Sequence, residues 1–236
     1  MSGDSAPDPG VTFVGDVHGW AGRLDAILAR ASGPLVFLGD LIDRGPAAPR
    51  VLDAVRRRCA SGDRCLMGNH EYQLVRALGA PAHGVAGDAA EFVRWRDSFT
   101  GISVMTAYGV RDAEGLRRAL GDHLDWLAGL PWVLRGEGWI AVHGGLCARR
   151  GWGEQCAALE QGWRREAENV AALFDKRRAR EVPADLPAGW VVVSGHTPVA
   201  RVDVRPGRIL CDTSGGLPGR CLSAVHWPSG TVIESG

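Results

Sequence analysis

The feature that most constrains this chain is a polar segment, flanked by glycines, that directly follows a short apolar run. Residues 34–38 (PLVFL) are predicted to form a buried strand, and GDLIDRG follows at residues 39–45. Asp40, Asp43 and Arg44 would therefore lie where a strand ends and the chain turns. Charged groups in such a loop are costly unless a partner neutralises them. The segment is either a surface turn with a local Asp–Arg pair or a site for a cation and an anion.

The same arrangement is repeated at other predicted strand ends. Three strand–loop–helix units open the chain, and in α/β sheets of this kind ligands bind outside the carboxyl ends of the strands. Five strand ends deliver aspartate, histidine or asparagine beside a glycine, which indicates a common ligand. These residues are Asp16 and His18, Asp40 and Asp43, Asn69 and His70, His143, and His196.

The residue types in this set indicate a metal centre. Imidazole, carboxylate and amide oxygen without thiolate suit divalent manganese, iron or zinc. The set offers more ligands than one tetrahedral site uses, and two ions that share Asp40 would account for them because a carboxylate has two oxygens. We therefore expect two divalent ions per chain, with manganese as the first choice and iron or zinc as alternatives.

The order of the motifs resembles that of the PPP-type serine/threonine protein phosphatases, in particular their compact bacterial and phage members. These enzymes belong to the calcineurin-like metallophosphoesterase superfamily. The resemblance covers residues 15–197 and is expected to continue to Asp212, because Asp212-Thr213 resembles a late Asp-Thr-Gly motif in which Ser214 replaces the glycine. The motifs that carry it are Gly15-Asp16-x-His18-Gly19, Gly39-Asp40-x-x-Asp43-Arg44-Gly45, Gly68-Asn69-His70-Glu71, His143-Gly144-Gly145 and Gly195-His196.

The resemblance implies a fold and a set of residue roles. The fold would be an α/β four-layer αββα sandwich, in which two mixed β-sheets are flanked by helices. His70 would be the general acid, Asp43 would orient it, and Arg44 would hold the phosphate. The implied metal ligands are Asp16, His18 and Asp40 for one ion, and Asp40, Asn69, His143 and His196 for the other.

General chemistry agrees with these roles. Two cations about 3.5–4 Å apart would clamp a phosphate and lower the pKa of a bridging water, whose hydroxide would attack phosphorus in line. An alkoxide is a poor leaving group, so an imidazolium such as His70 should protonate it. A carboxylate such as Asp43 can fix the tautomer of that histidine. Arg44 would stabilise charge on the equatorial oxygens.

A second phosphate-binding arginine is expected between His143 and His196, because relatives of this size often carry Trp-x-Arg there. Trp163-Arg164-Arg165 fits this pattern and favours Arg165. Arg164 is a rival, and a helix would point the two side chains about 100° apart. Alternatively, Arg165 belongs to a solvated helix face.

The chain is expected to form one catalytic domain. Residues 1–10 are predicted to be a disordered tail, and residues 11–236 a single metallophosphoesterase domain. Residues 80–110 interrupt the strand–helix alternation and are interpreted as an insertion near the substrate cleft. Residues 116–130 and 154–174 are each predicted to be helical.

Composition excludes several classes of partner and location. The formal net charge is +0 and the pI is near 7.0, so a nucleic-acid partner is not expected. No apolar run has the length of a membrane span and no signal pattern opens the chain. Six cysteines without a paired spacing favour a reducing, cytoplasmic location.

These observations predict a metal-dependent phosphomonoester hydrolase, with a serine/threonine protein phosphatase as the first choice and a phosphoprotein or another phosphomonoester as substrate. The alternative on the same scaffold is a diadenosine-tetraphosphate hydrolase. Those enzymes typically have alanine where Asp43 stands and aspartate where Glu71 stands, so both residues favour the phosphatase. A non-catalytic phosphoprotein-binding module is the third hypothesis, although no metal ligand is missing.

Overall fold

Two five-stranded mixed β-sheets form the centre of the protein. The structure is a computed structural model that describes residues 10–97 and 101–236, so the predicted tail lies outside the described residues except for Gly10. The strands are β1 (Val11–Val14), β2 (Leu35–Phe37), β3 (Arg64–Cys65), β4 (Leu134–Gly136), β5 (Trp139–Ala141), β6 (Val191–Ser194), β7 (Asp203–Arg205), β8 (Arg208–Leu210), β9 (Ser223–Trp227) and β10 (Val232–Glu234).

The first sheet has the strand order β10-β9-β1-β2-β3, and the second has β4-β5-β6-β8-β7. In the first, β1, β2 and β3 are parallel, with Thr12 opposite Leu35, and β9 is antiparallel to β1. In the second, β4 and β5 form an antiparallel hairpin, and β5, β6 and β8 are parallel. Parallel neighbours place their carboxyl ends at the same edge of each sheet.

The strands supply apolar side chains to both of their faces. Phe13 of β1 and Val193 of β6 belong to a buried cluster between the sheets, where the Phe13 ring meets Trp139 edge-on at 5.1 Å. The neighbouring residues Val14 and Val192 point the other way and join the cluster that the helices cover. Burial on both faces explains the continuous apolar runs in the sequence, and it confirms the predicted four-layer arrangement.

Ten α-helices occur within the described residues, and none of them is long and apolar enough to cross a membrane. They are α1 (Ala21–Leu28), α2 (Ala48–Ala60), α3 (Asn69–Leu78), α4 (Ala89–Asp97), α5 (Gly101–Ala107), α6 (Ala113–Leu120), α7 (Asp122–Ala128), α8 (Trp152–Leu159), α9 (Glu166–Asn169) and α10 (Ala171–Phe174). Short 3-10 helices span Pro81–His83, Gly162–Arg165 and Arg178–Arg180.

Two predicted helices are interrupted. The helix expected over residues 116–130 is split into α6 and α7 at Gly121, which has φ +50°. The helix expected over residues 154–174 is split into α8, a 3-10 turn, α9 and α10, and the break begins near Gly162, with φ +49°. Helical periodicity hides such breaks, because glycine reverses φ without changing the apolar spacing.

Candidate active site

The loops that follow β1, β2, β3 and β6 meet at one cavity of about 550 Å³, and His143, which follows β5, lies 3.3 Å from the Asp40 side chain that lines it. Asp16, Asp43 and His143 are at most 1% exposed. The structure therefore brings the predicted metal ligands, the predicted acid and the predicted phosphate-binding Arg44 together. The predicted residues that line the cavity are His18, Asp40, Arg44, Asn69, His70 and His196.

Asp40 lies at the centre of the cluster. Its Oδ2 is 3.6 Å from His18 Nε2 and 3.7 Å from His70 Nε2, and its Oδ1 is 3.3 Å from His143 Nε2. It belongs to two triads whose ligand atoms lie within 4.8 Å of one another, one with His18 and His70 and one with His143 and His196. The two oxygens of Asp40 thus face different groups of histidines.

Backbone carbonyls fix the orientation of three of these histidines. His18 Nδ1 lies 2.9 Å from Ile42 O and His143 Nδ1 lies 2.7 Å from Leu38 O. His196 Nε2 lies 3.0 Å from Phe174 O. A carbonyl only accepts, so each of these nitrogens donates, and the opposite ring nitrogen faces the cluster. Metal-binding histidines are typically held in this way.

The protonation of these rings fits a bound cation. Burial lowers the pKa of His18 to about 3 and that of His196 to about 4, so both rings are neutral near pH 7. Their free lone pairs then face Asp40 and the Asn69 oxygen, which lies 2.7 Å from His196 Nδ1. Lone pairs that face oxygens repel unless a cation lies between them. The neutral rings and the oxygens therefore fit a divalent metal ion.

Asp16 shows the same need, whereas His143 carries a proton that a bound cation would replace. Burial opposes charge on His143, but Asp40 outweighs it and raises the pKa of His143 to about 10. Asp16 accepts the His196 backbone N–H at 2.9 Å through Oδ2, while its buried Oδ1 has no hydrogen-bond partner among the described residues. Burial, then Asp212 and Asp40, raise the pKa of Asp16 well above its ordinary value. A cation beside these carboxylates would remove that cost.

The triads differ from the expected ligand sets in one respect. His70 stands with His18 and Asp40, whereas Asp16 stands outside both triads of the described residues. His70 nevertheless has a partner of its own, because its Nδ1 lies 2.6 Å from Asp43 Oδ2. Burial disfavours its charged form, but Asp40 and Asp43 raise its pKa above the ordinary value. Trp95 Nε1 also donates to Asp43 Oδ2 at 3.4 Å.

The loops that carry the site adopt backbone conformations that side chains rarely take. Among residues 10–97 and 101–236, five residues other than glycine have φ between +48° and +68°, and all five are predicted site residues: His18, Asp40, Asp43, Arg44 and His196. Such strain concentrates where function requires it. Gly195 allows the close packing, since a Cβ there would lie 2.1 Å from Asp16 Oδ1.

Glu71 holds the central loop, a role that the sequence analysis did not assign. It is fully buried and accepts the backbone N–H groups of Leu41 at 2.8 Å, Asp40 at 2.8 Å and Gly68 at 3.1 Å. Its position three residues after Gly68, at the start of α3, is a capping-box signal that could have revealed the role.

Glu71→Gln should therefore destabilise the fold. The new amide would point N–H donors at backbone N–H donors. Burial and Asp40 raise the pKa of Glu71 to about 7, and losing the hydrogen bonds to this buried carboxyl group should lower the free energy of unfolding by about 2 kcal/mol. Urea denaturation of the metal-free protein measures this free energy of unfolding. The exposed Glu114→Gln is the control, expected to change stability by less than about 0.5 kcal/mol. Equal effects of the two substitutions would contradict the bracing role.

The predicted arginines have different positions. Arg44 lines the cavity, donates to the Gly215 carbonyl and has Nη2 3.4 Å from His70 Nε2. Arg165 does not line the cavity; its side chain is 55% exposed and pairs with Glu168 at 3.2 Å. Arg164 lines a different cavity. The expected second arginine clamp is thus not at the site.

Other polar residues line the cavity without having been assigned a role. Arg94 of α4 and Lys176, just after α10, add positive charge, and Glu91 pairs with Arg94 at 2.6 Å. Asp212 accepts the Gly215 N–H at 2.7 Å, and its burial and Asp40 raise its pKa to about 6. The likeness of residues 212–213 to a late Asp-Thr motif was the signal for Asp212. Arg94 and Lys176 have no motif.

Comparison with known proteins identifies the family. A sequence model described as calcineurin-like phosphoesterase matches residues 10–216. A symmetrical bis(5'-nucleosyl)-tetraphosphatase of Paracidovorax citrulli is 31% identical over 145 residues, 56% of this chain and 43% of the relative. One from Bordetella pertussis is 27% identical over 233 residues, 93% of this chain and 73% of the relative. The chain thus matches less than half the length of the first of these relatives.

Solved structures share the fold. A metallophosphoesterase from Sphaerobacter thermophilus is 20% identical with a TM-score of 0.51, covering 95% of this chain and 86% of the other. A protein serine/threonine phosphatase from Saccharomyces cerevisiae is 15% identical with a TM-score of 0.52, covering 98% and 80%. At these identities the likeness establishes the fold alone.

Proposed function

The chain belongs to the calcineurin-like phosphoesterase family, and we propose that it is a metal-dependent phosphohydrolase whose preferred substrate is a dinucleoside tetraphosphate. The observation that carries the hydrolase chemistry is Asp40, whose two oxygens face separate histidine groups. The curated relatives named bis(5'-nucleosyl)-tetraphosphatase support the substrate class. This proposal reverses the order of the two leading hypotheses from the sequence.

The side chains around Asp40 would hold two divalent cations. Once bound, the cations would neutralise phosphoryl charge and supply a water nucleophile. His18, His143 and His196 present neutral or metal-facing nitrogens, and backbone carbonyls hold them in place. The proposed ligands remain Asp16, His18, Asp40, Asn69, His143 and His196.

The remaining site residues would act on the substrate. Arg44 can bind two oxygens of the phosphoryl group that is attacked, because its guanidinium is a planar fork. His70, protonated and aligned by Asp43 at 2.6 Å, can donate a proton to the leaving oxygen. Symmetrical cleavage of a tetraphosphate breaks the bond between its second and third phosphates and releases two nucleoside diphosphates.

A serine/threonine protein phosphatase is the second candidate, and the His70–Asp43 pair favours it. A serine alkoxide is a far stronger base than a nucleoside diphosphate, so its departure depends more on an aligned acid. The pair would be of greatest use in ester hydrolysis. The two candidates share the metal centre and differ only in what lies beyond the scissile bond.

Hydrolysis rates distinguish the candidates. With manganese, we expect kcat/KM for diadenosine tetraphosphate to exceed that for a phosphoserine peptide by about tenfold or more, as one additional contact to a charged phosphate would give. Chromatography should show ADP as the nucleotide product. Asp40→Asn protein supplies the background rate. A higher kcat/KM on the phosphopeptide would reject the dinucleotide proposal in favour of the protein phosphatase.

A further inference from the structure

We infer that Lys176 forms a second phosphate-binding subsite in the catalytic cavity, which takes a part of a polyphosphate chain other than the phosphoryl group that is attacked. The inference rests on the proposed function, because a monoester has no such part. The chain contains Lys176 as its single lysine.

The segment that carries Lys176 is attached to the metal site. Phe174, the last residue of α10, lines the cavity, and its carbonyl oxygen accepts a hydrogen bond from His196 Nε2 at 3.0 Å. Lys176 is therefore on the His196 side of the cluster, whereas Arg44 is beside His70 on the other side.

Lys176 is also the cation of the cavity that is least committed to other groups. Arg94 is held by Glu91 through two contacts, at 2.6 and 3.3 Å. Lys176 forms no ion pair within residues 10–97 and 101–236. Its neighbour Asp175 is bound instead by Arg177, at 3.1 Å. An anion that reaches Lys176 would not have to displace a carboxylate.

The chemistry of lysine suits a polyphosphate. Its ammonium has three donors on a flexible stem, so it can follow oxygens that occupy several positions, whereas a guanidinium imposes one planar geometry. Arg44 and Lys176 on opposite sides of Asp40 would then bind different phosphates of the same chain. The ligand class is an inorganic or nucleoside polyphosphate rather than a single phosphate.

Inhibition of p-nitrophenyl phosphate hydrolysis tests the subsite with free manganese held constant. Lys176→Ala should raise the inhibition constant of tripolyphosphate about tenfold, because one hydrogen bond between charged groups is lost. The inhibition constant of orthophosphate should not change. Lys176→Arg should restore most of the affinity. Arg180→Ala, an exposed cation outside the cavity, is the matched control and should change neither constant.

A second measurement does not depend on turnover. Tripolyphosphate should slow acetylation of the Lys176 amine in wild-type protein, followed by peptide mass, and orthophosphate should not. Three results would overturn the subsite. They are an equal change in the inhibition constants of the two phosphates in Lys176→Ala, no change in either constant, or the same change in Arg180→Ala. The probe is inorganic, so the test of the subsite does not depend on the preferred substrate. If the protein prefers phosphopeptides but shows these effects of Lys176, the proposed function is rejected and the subsite is still supported.

Discussion

Asp40→Asn should reduce phosphohydrolase activity by about 10³-fold or more, since bound metal ions supply several kcal/mol of transition-state stabilisation. The Asp40 oxygens face His18 and His70 on one side and His143 on the other. Asparagine removes the charge and replaces one oxygen by an N–H donor. Both cation sites should therefore weaken together, which elemental analysis after manganese reconstitution measures against an expected two ions per wild-type chain.

Asp212→Asn is the matched control for this substitution. Asp212 is also a buried carboxyl group at the cavity, but it lies outside both triads, and an amide oxygen can still accept the Gly215 N–H. We expect this variant to bind two ions. A wild-type stoichiometry that saturates at one ion, or an Asp40→Asn protein that loses one ion and keeps the other at full affinity, would refute the shared role of Asp40.

The positions of most site residues could be predicted from the sequence for a physical reason, whereas the four-layer fold was what the family resemblance implied. Parallel strands that are buried on both faces appear as continuous apolar runs, and their carboxyl ends share one edge. A polar motif directly after such a run, as at Asp16, Asp40 or His143, therefore has its place in space determined by its place in sequence. In the structure Asp40 lines the cavity, His143 lies 3.3 Å from it, and Asp16 accepts a hydrogen bond from the His196 backbone.

Residues away from strand ends were not predictable in the same way. Arg165 was chosen because Trp163-Arg164-Arg165 fits a Trp-x-Arg pattern, but the chain turns at Gly162 and Arg165 pairs with Glu168. Lys176 and Arg94 reach the cavity from segments whose path depends on tertiary packing, so no local pattern marks them. Substrate-binding groups on loops are determined by that packing, whereas the metal ligands follow from the sheet.

His70→Asn should lower turnover of a phosphoserine peptide by about 10²–10⁴-fold, the usual contribution of general acid catalysis. The aligned contact with Asp43 at 2.6 Å and the raised pKa of His70 support a protonated ring. The deficit should shrink with p-nitrophenyl phosphate, whose leaving group hardly needs a proton. The deficit with diadenosine tetraphosphate should be similarly small, because its leaving group, a nucleoside diphosphate, is a weak base.

Metal content determines how that result is interpreted. His70 stands 3.7 Å from Asp40 in one of the triads, so it is either an acid beside the metal or a ligand to it. If His70 is an acid, the His70→Asn protein should retain two manganese ions. The Asp43→Asn protein should then rank the substrates in the same order but lose less turnover, about 10–100-fold, because Asp43 only orients the acid. A similar loss on all three substrates together with one missing ion would make His70 a metal ligand.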